Sequence, residues 1–109
     1  MGINTSSINN SNGVLSRSVM AFTTDAVAAA DTVLNFGFKP RLVQVINLTD
    51  RITDEWFEGM AATQALHTIA TGVRTLDTNS LIVVNADGTV TLKAAVMVAS
   101  KSFVMIAEG

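Results

Sequence analysis

Hydrophobic and polar residues alternate along much of the chain with the period of two that β-strands require. The pattern is clearest in residues 41–48, RLVQVINL. There it puts Val43 and Val45 on one face and Leu42 and Ile46 on the other, so that both faces are largely apolar. A strand of this kind is covered twice, once by its own core and once by another layer or a partner.

Other short apolar runs, separated by turn residues, predict the remaining strands. They cover residues 18–24, 32–36, 63–69, 73–76, 81–84, 89–92, 94–99 and 102–107. The turn at 85–88, NADG, predicts a hairpin because Gly88 can adopt a positive φ. A second hairpin is predicted between 94–99 and 102–107. Many short, closely spaced strands indicate an all-β fold: an antiparallel β-sandwich, a jelly-roll-like domain or a small barrel.

The first 16 residues carry no charge and are rich in Asn and Ser, which compete with regular structure by bonding their own backbone. We therefore divide the chain into an extended polar N-terminal arm, 1–16, and a β domain, 17–109. The arm contains widely spaced aliphatic residues, which suit docking into the grooves of a neighbour: Ile3, Ile8, Val14 and Leu15. The alternative is a frayed terminus without a role.

Composition favours association with other chains. Hydrophobic residues make up 49% of the 109 positions and charged residues only 15%, against a usual charged share of roughly 25%. A domain of this size cannot bury all of its apolar side chains, so homo-oligomerisation is expected. The net charge of −2 and the lack of a basic run argue against a direct nucleic-acid ligand. No apolar run approaches the roughly 20 residues that span a bilayer, and the N-terminus has no signal-peptide pattern, so no membrane role is expected.

Catalytic chemistry has no candidate, and neither a cofactor nor a metal is predicted. The chain has no cysteine and lacks the short motifs of nucleophilic hydrolases, nucleotide-binding loops and zinc proteases. His67, the single histidine, lies in an apolar stretch and is expected to be a hydrogen-bonded structural residue. Carboxylates gather in one region: Asp50, Asp54, Glu55 and Glu58. With Arg51 among them to pair with one, they predict a solvated charged loop rather than a calcium site or a glycosidase pair.

Trp56 and Phe57 are adjacent aromatic residues that point to opposite faces if the backbone is extended. One of them can anchor the core while the other covers it. Alternatively, one is an anchor between subunits, a role in which tryptophan is common. A third interpretation makes Trp56 a sugar-stacking platform. We assign both aromatics to the predicted assembly surface, together with the aliphatic residues of the arm.

Residues 37–60, GFKPRLVQVINLTDRITDEWFEGM, and the segment ATGVRTL at 70–76 resemble small virion proteins of tailed bacteriophages. The shared features are a G-F-x-P-R-x-V-x-V-x-N strand and a W-[FY]-E-G-M turn. The resemblance covers about a third of the chain and is structural rather than catalytic. It implies a phage structural protein found beside capsid genes or in tail-fibre modules.

Together, these features predict a capsid decoration (cement) protein that is not an enzyme. It would form a homo-oligomer, with a trimer favoured, on the head surface of the virion after synthesis in the host cytoplasm. There it would bind the major capsid protein and hold shell subunits together by an added interface. The alternative is a receptor- or glycan-binding β module of a tail fibre or tail protein.

Overall fold

The computed structural model describes residues 17–27 and 29–109. This part of the chain forms nine β-strands, which in chain order are β1 (Arg17–Thr23), β2 (Thr32–Asn35), β3 (Leu42–Asn47), β4 (Ile52–Phe57), β5 (Ala65–Thr68), β6 (Arg74–Asp77), β7 (Ile82–Val84), β8 (Thr89–Leu92) and β9 (Ser102–Glu108). All strand pairs are antiparallel. The predicted all-β antiparallel sandwich is confirmed. The predicted arm, 1–16, lies outside the described residues.

The larger sheet has six strands in the order β1-β9-β3-β4-β5-β6. Strands β3 to β6 follow one another as a simple meander, whereas β9 is inserted between β1 and β3. The register of β9 pairs Met105 with Met20 on one side and with Val45 on the other. Residues from distant parts of the sequence therefore meet in the middle of the sheet.

The smaller sheet has three strands in the order β2-β8-β7. Strands β7 and β8 form the hairpin predicted from the NADG turn, and Gly88 has a φ of 87°. The turn is also held by side chains, since the backbone N–H of Thr89 donates to Asp87 over 3.0 Å. Asn85 Nδ2 donates to the hydroxyl groups of Thr89 and Thr91. Local sequence is sufficient to define this hairpin.

The core lies between the two sheets. The larger sheet contributes Met20, Phe22, Val43, Val45, Ala65, Phe103 and Met105, and the smaller sheet contributes Ile82, Val90 and Leu92. The rings of Phe22 and Phe103 stack with centroids 5.1 Å apart and nearly parallel planes. The alternation in β1, β3 and β9 thus places one apolar face of the six-stranded sheet against the core and leaves the other outside.

Two sequence predictions about secondary structure are wrong. The predicted charged loop forms strand β4, paired with β3 on one side and β5 on the other. The predicted strand over 94–99 instead consists of turns and irregular backbone. Its side chains nevertheless enter the core, where Val96 and Met97 are buried. Consequently, no hairpin joins this segment to β9, although Ser100 there has a φ of 59°.

Within the described residues there is no helix that has both the length and the apolar character required to cross a bilayer.

Candidate functional site

The outer face of the six-stranded sheet is the side turned away from the three-stranded sheet, and it is rich in apolar side chains. One cross-strand row runs through Val19, Ile106, Gln44, Glu55, Leu66 and Leu76. The next row runs through Ala21, Val104, Ile46, Thr53, Thr68 and Arg74. In both rows the residues on β1 and β9 are apolar. In the second row Ile46 continues this apolar surface onto β3. This surface is the clearest candidate for contact with another chain.

The centre of the outer face is held together by a polar pair. Gln44 Nε2 donates to Glu55 Oε2 over 3.3 Å, joining β3 to β4. Nearby, Phe57 is paired with Leu42 and is 37% exposed, so it adds an aromatic side chain to the same face. Phe57 therefore lies where an assembly surface would need it, and its role in an interface stays a prediction.

Trp56 occupies the opposite side of β4 and packs against the core, where it is partly buried. Its indole Nε1–H donates to the carbonyl of Ala61 over 3.3 Å. The two adjacent aromatics thus point to opposite faces, as an extended backbone requires. This packing fits the core-anchor interpretation of Trp56. The other predicted assembly residues, Ile3, Ile8, Val14 and Leu15, lie outside the described residues.

A cavity of about 440 Å³ opens on the inner face of the six-stranded sheet, beside the start of β7. Its apolar walls come from the six-stranded sheet, from the residue before β7 and from the segment before β9, and they comprise Val45, Ile52, Leu81, Ala95, Val96, Val98 and Phe103. Its polar lining comprises Asn47, Asp50, Asp54, His67, Asp77 and Asn79. Sequence reasoning did not predict this cavity. It is a second candidate site, separate from the outer face.

The cavity lies where the inner face of the larger sheet changes from apolar to polar. Across one row of the sheet, Met105 is followed by Val45, and then by Asp54, His67 and Thr75. The change occurs at β4, so β5 and β6 present polar groups towards a space that the three strands of the smaller sheet do not fill. The cavity thus lies where the six-stranded sheet extends beyond the three-stranded one.

Asp54 and His67 form the closest polar contact in the cavity wall. The distance from Asp54 Oδ1 to His67 Nδ1 is 2.5 Å, and only 5% of the Asp54 side chain is exposed. Burial raises the pKa of Asp54, while the hydrogen bond and charge of His67 act to lower it. His67 is therefore hydrogen-bonded as the sequence predicted. Asp54, which was expected in a solvated loop, is instead buried.

Other carboxylates of the predicted cluster are paired with residues outside it. Asp50 Oδ1 accepts from Lys101 Nζ over 3.2 Å, and Asp50 Oδ2 accepts from Asn47 Nδ2 over 3.0 Å. Glu58 Oε2 accepts from Arg41 Nε over 3.2 Å. The partners of these carboxylates are Lys101, just before β9, and Arg41, just before β3. The expectation that Arg51 would pair with a carboxylate of its own cluster is therefore not met. The described residues contain no group of three or more potential metal ligands close enough to hold an ion.

The chain matches no protein-family model, no curated protein and no solved structure.

Proposed function

We propose that this chain is a capsid decoration (cement) protein of a tailed bacteriophage, which forms homo-oligomers and binds the major capsid protein on the outside of the head. The observation that carries the proposal is the apolar outer face of the six-stranded sheet. The resemblance of residues 37–60 and 70–76 to small phage virion proteins points to the same class. The work of such a protein is passive, since an additional interface resists the separation of shell subunits.

The size of the outer face suits part of an interface rather than the whole. Six strands about 4.8 Å apart and four to seven residues long, at about 3.3 Å per residue, give a projected area of roughly 550 Å². A standard interface buries roughly 800 Å² on each partner. In this proposal the uncharged arm, 1–16, supplies the remaining contact area through its spaced aliphatic residues.

The apolar side chains on the β1 and β9 part of the outer face favour attachment by apolar burial. Val19, Val104 and Ile106 are only partly buried in the isolated chain, and each would lose further contact with water in a complex. Burial contributes roughly 25 cal/mol per Å² of apolar surface before the costs of association are subtracted. Multiple copies on one shell would add to the effective strength of attachment. A trimer is the favoured oligomer, because capsid surfaces offer points where three capsomers meet.

Sedimentation velocity of the full chain at micromolar concentration tests the oligomer. The wild-type chain should sediment as a multimer. Replacing Ile46, in the middle of the outer face, by Gln should shift it towards monomer. Ile69→Gln is the matched control, since Ile69 is 40% exposed but lies after β5, away from the centre of the face.

The same variants test attachment in a pull-down by sedimentation with phage heads that lack this chain. Wild type and Ile69→Gln should bind the heads, whereas Ile46→Gln should bind more weakly. A stable wild-type monomer that does not bind heads would overturn the proposal. Head binding that is unaffected by Ile46→Gln would transfer the attachment role to another surface.

A further inference from the structure

The cavity on the inner face of the six-stranded sheet is too large to be a packing defect. Protein interiors are close-packed and contain few voids larger than a water molecule, whose share of liquid volume is about 30 Å³. The cavity measures about 440 Å³, which falls within the range of roughly 300 to 1,000 Å³ that is typical of small-molecule sites. Its combination of apolar walls and a few polar groups on one side is also typical of such sites.

Some of the polar lining is already satisfied by neighbouring residues. Asn47 and Asp50 bond each other twice, because the Asn47 amide donates to the Asp50 carboxylate and the Asp50 backbone N–H donates to Asn47 Oδ1 over 2.9 Å. Lys101 supplies the counter-charge for Asp50 at 3.2 Å. The polar groups on this side of the cavity therefore already have hydrogen-bond partners and a counter-charge within the protein. The polar groups on the opposite side, on β5 and β6, are less completely paired.

On that side the Asp77 carboxylate is a hydrogen-bond acceptor, while the Asn79 amide can both donate and accept. Asp54 Oδ1 and His67 Nδ1 share a hydrogen bond. With the carboxylate ionised and the ring neutral, Nδ1 is the donor of this bond and Nε2 is left as an acceptor. Asp77, on the adjacent strand, accepts the backbone N–H of Asn79 over 2.7 Å. That local bond brings no positive charge to the Asp77 carboxylate. A ligand that donates hydrogen bonds and carries a positive charge would therefore complement the Asp77 carboxylate and His67 Nε2 at this end of the cavity.

The remaining walls favour an apolar body over a sugar. Sugars usually need an exposed aromatic surface on which to stack. Phe103, the aromatic side chain of the lining, is 1% exposed and stacks on Phe22. Trp56, the platform that a sugar site would use, does not line the cavity. Val96 and Val98 instead provide aliphatic contacts from the segment before β9.

We propose that this cavity binds a small amphiphilic amine, whose protonated amino group donates to His67 Nε2 and to the Asp77 carboxylate while its apolar body lies against Ala95, Val96 and Val98. Asp54 is a positioning residue in this arrangement, because it holds the imidazole in the tautomer that accepts from the amine. The proposal goes beyond the decoration role and does not depend on it, since the cavity and the outer face lie on opposite sides of the six-stranded sheet.

Titration of the isotope-labelled full chain with hexylamine, followed through the backbone amide resonances, tests the proposal. Hexanol and hexanoate are the matched probes, because they keep the alkyl chain and change only the head group. Hexylamine should shift the amide resonances around Asp77 and Val96 and bind at least about tenfold more tightly than either other probe, the factor that one charge-assisted hydrogen bond supplies.

Variants locate the binding site. Asp77→Asn should weaken hexylamine binding about tenfold, whereas Asp87→Asn, which removes the same charge at the β7–β8 turn, should leave it unchanged. Ala95→Phe places a ring at the cavity wall and should abolish binding while leaving the carboxylates in place. The proposal is overturned if hexylamine shifts no cavity resonance at about 10 mM, a concentration that detects even very weak binding. Equal affinity for the three probes, or equal weakening by Asp77→Asn and Asp87→Asn, would overturn it as well.

Discussion

Replacing His67 by Ala should destabilise the fold by about 3 kcal/mol, because it removes the hydrogen-bond partner of a buried carboxylate. The magnitude follows from the environment of Asp54, which has a 5% exposed side chain and lies 2.5 Å from His67 Nδ1. Without His67 the charged group stays out of water and loses its closest compensating contact. Direct packing loss contributes less, since His67 is 27% exposed and borders the cavity.

Urea denaturation at neutral pH measures this loss. With a slope of about 1.5 kcal/mol per molar urea, a change of about 3 kcal/mol lowers the unfolding midpoint by about 2 M. His67→Gln keeps a side-chain donor and should lose less than His67→Ala. Adding Asp54→Asn to His67→Ala should recover much of the lost stability, because no buried charge then remains. This non-additivity is the mark of a direct interaction.

The pH dependence supplies a separate check. The pKa of Asp54 is raised by burial, so the folded state favours its protonated form more than the unfolded state does. The stability that this group contributes is therefore present at acid pH and lost as the pH rises through its folded pKa. The loss of unfolding free energy caused by His67→Ala should accordingly become smaller as the pH falls and Asp54 is protonated. The reasoning would be refuted if His67→Ala cost the same stability down to acid pH. It would also be refuted if the stability losses of His67→Ala and Asp54→Asn were strictly additive.

Two further pairs of substitutions have defined outcomes by thermal or urea unfolding. Trp56→Ala should cost about 2 to 3 kcal/mol because the ring packs on the core, whereas Phe57→Ala should cost about 1 kcal/mol or less. Unchanged stability with weakened association would instead make Trp56 an interface anchor. Gly88→Ala should cost about 2 kcal/mol, because φ is 87° and a Cβ would lie 3.3 Å from the Phe38 backbone. Gly72→Ala, at φ 88° in open space, should cost about 1 kcal/mol, and equal losses would show that the Phe38 contact contributes nothing.

The fold class could be predicted because it depends on local alternation. Strands β3 and β9 show the period of two directly, and the β7–β8 turn contains a glycine where a positive φ is needed. Strand β4 was missed because its inward position 54 is an aspartate, which alternation alone assigns to solvent. The turn before β4 was also concealed, since its positive-φ residue is Arg51 rather than glycine or asparagine.

The cavity could not be predicted because it depends on pairings between distant residues. Asp54 and His67 are brought together by the register of β4 and β5, and Asp77 by the register of β5 and β6. The segment 94–99 is apolar without a clear period, so its hydrophobicity indicated burial correctly but not conformation. A buried aspartate next to the single histidine is a signal that becomes visible only when the register is known.

The insertion of β9 between β1 and β3 has a consequence for folding during translation. The ribosome releases β1 and β3 well before β9, and these two strands are not neighbours in the finished sheet. Until Ser102–Glu108 emerges, each has an unpaired edge where β9 will lie. Strand pairing across long sequence separations is slow, and such open edges invite pairing with other nascent chains. We therefore expect the nascent chain to be most prone to aggregation in the interval before β9 is synthesised.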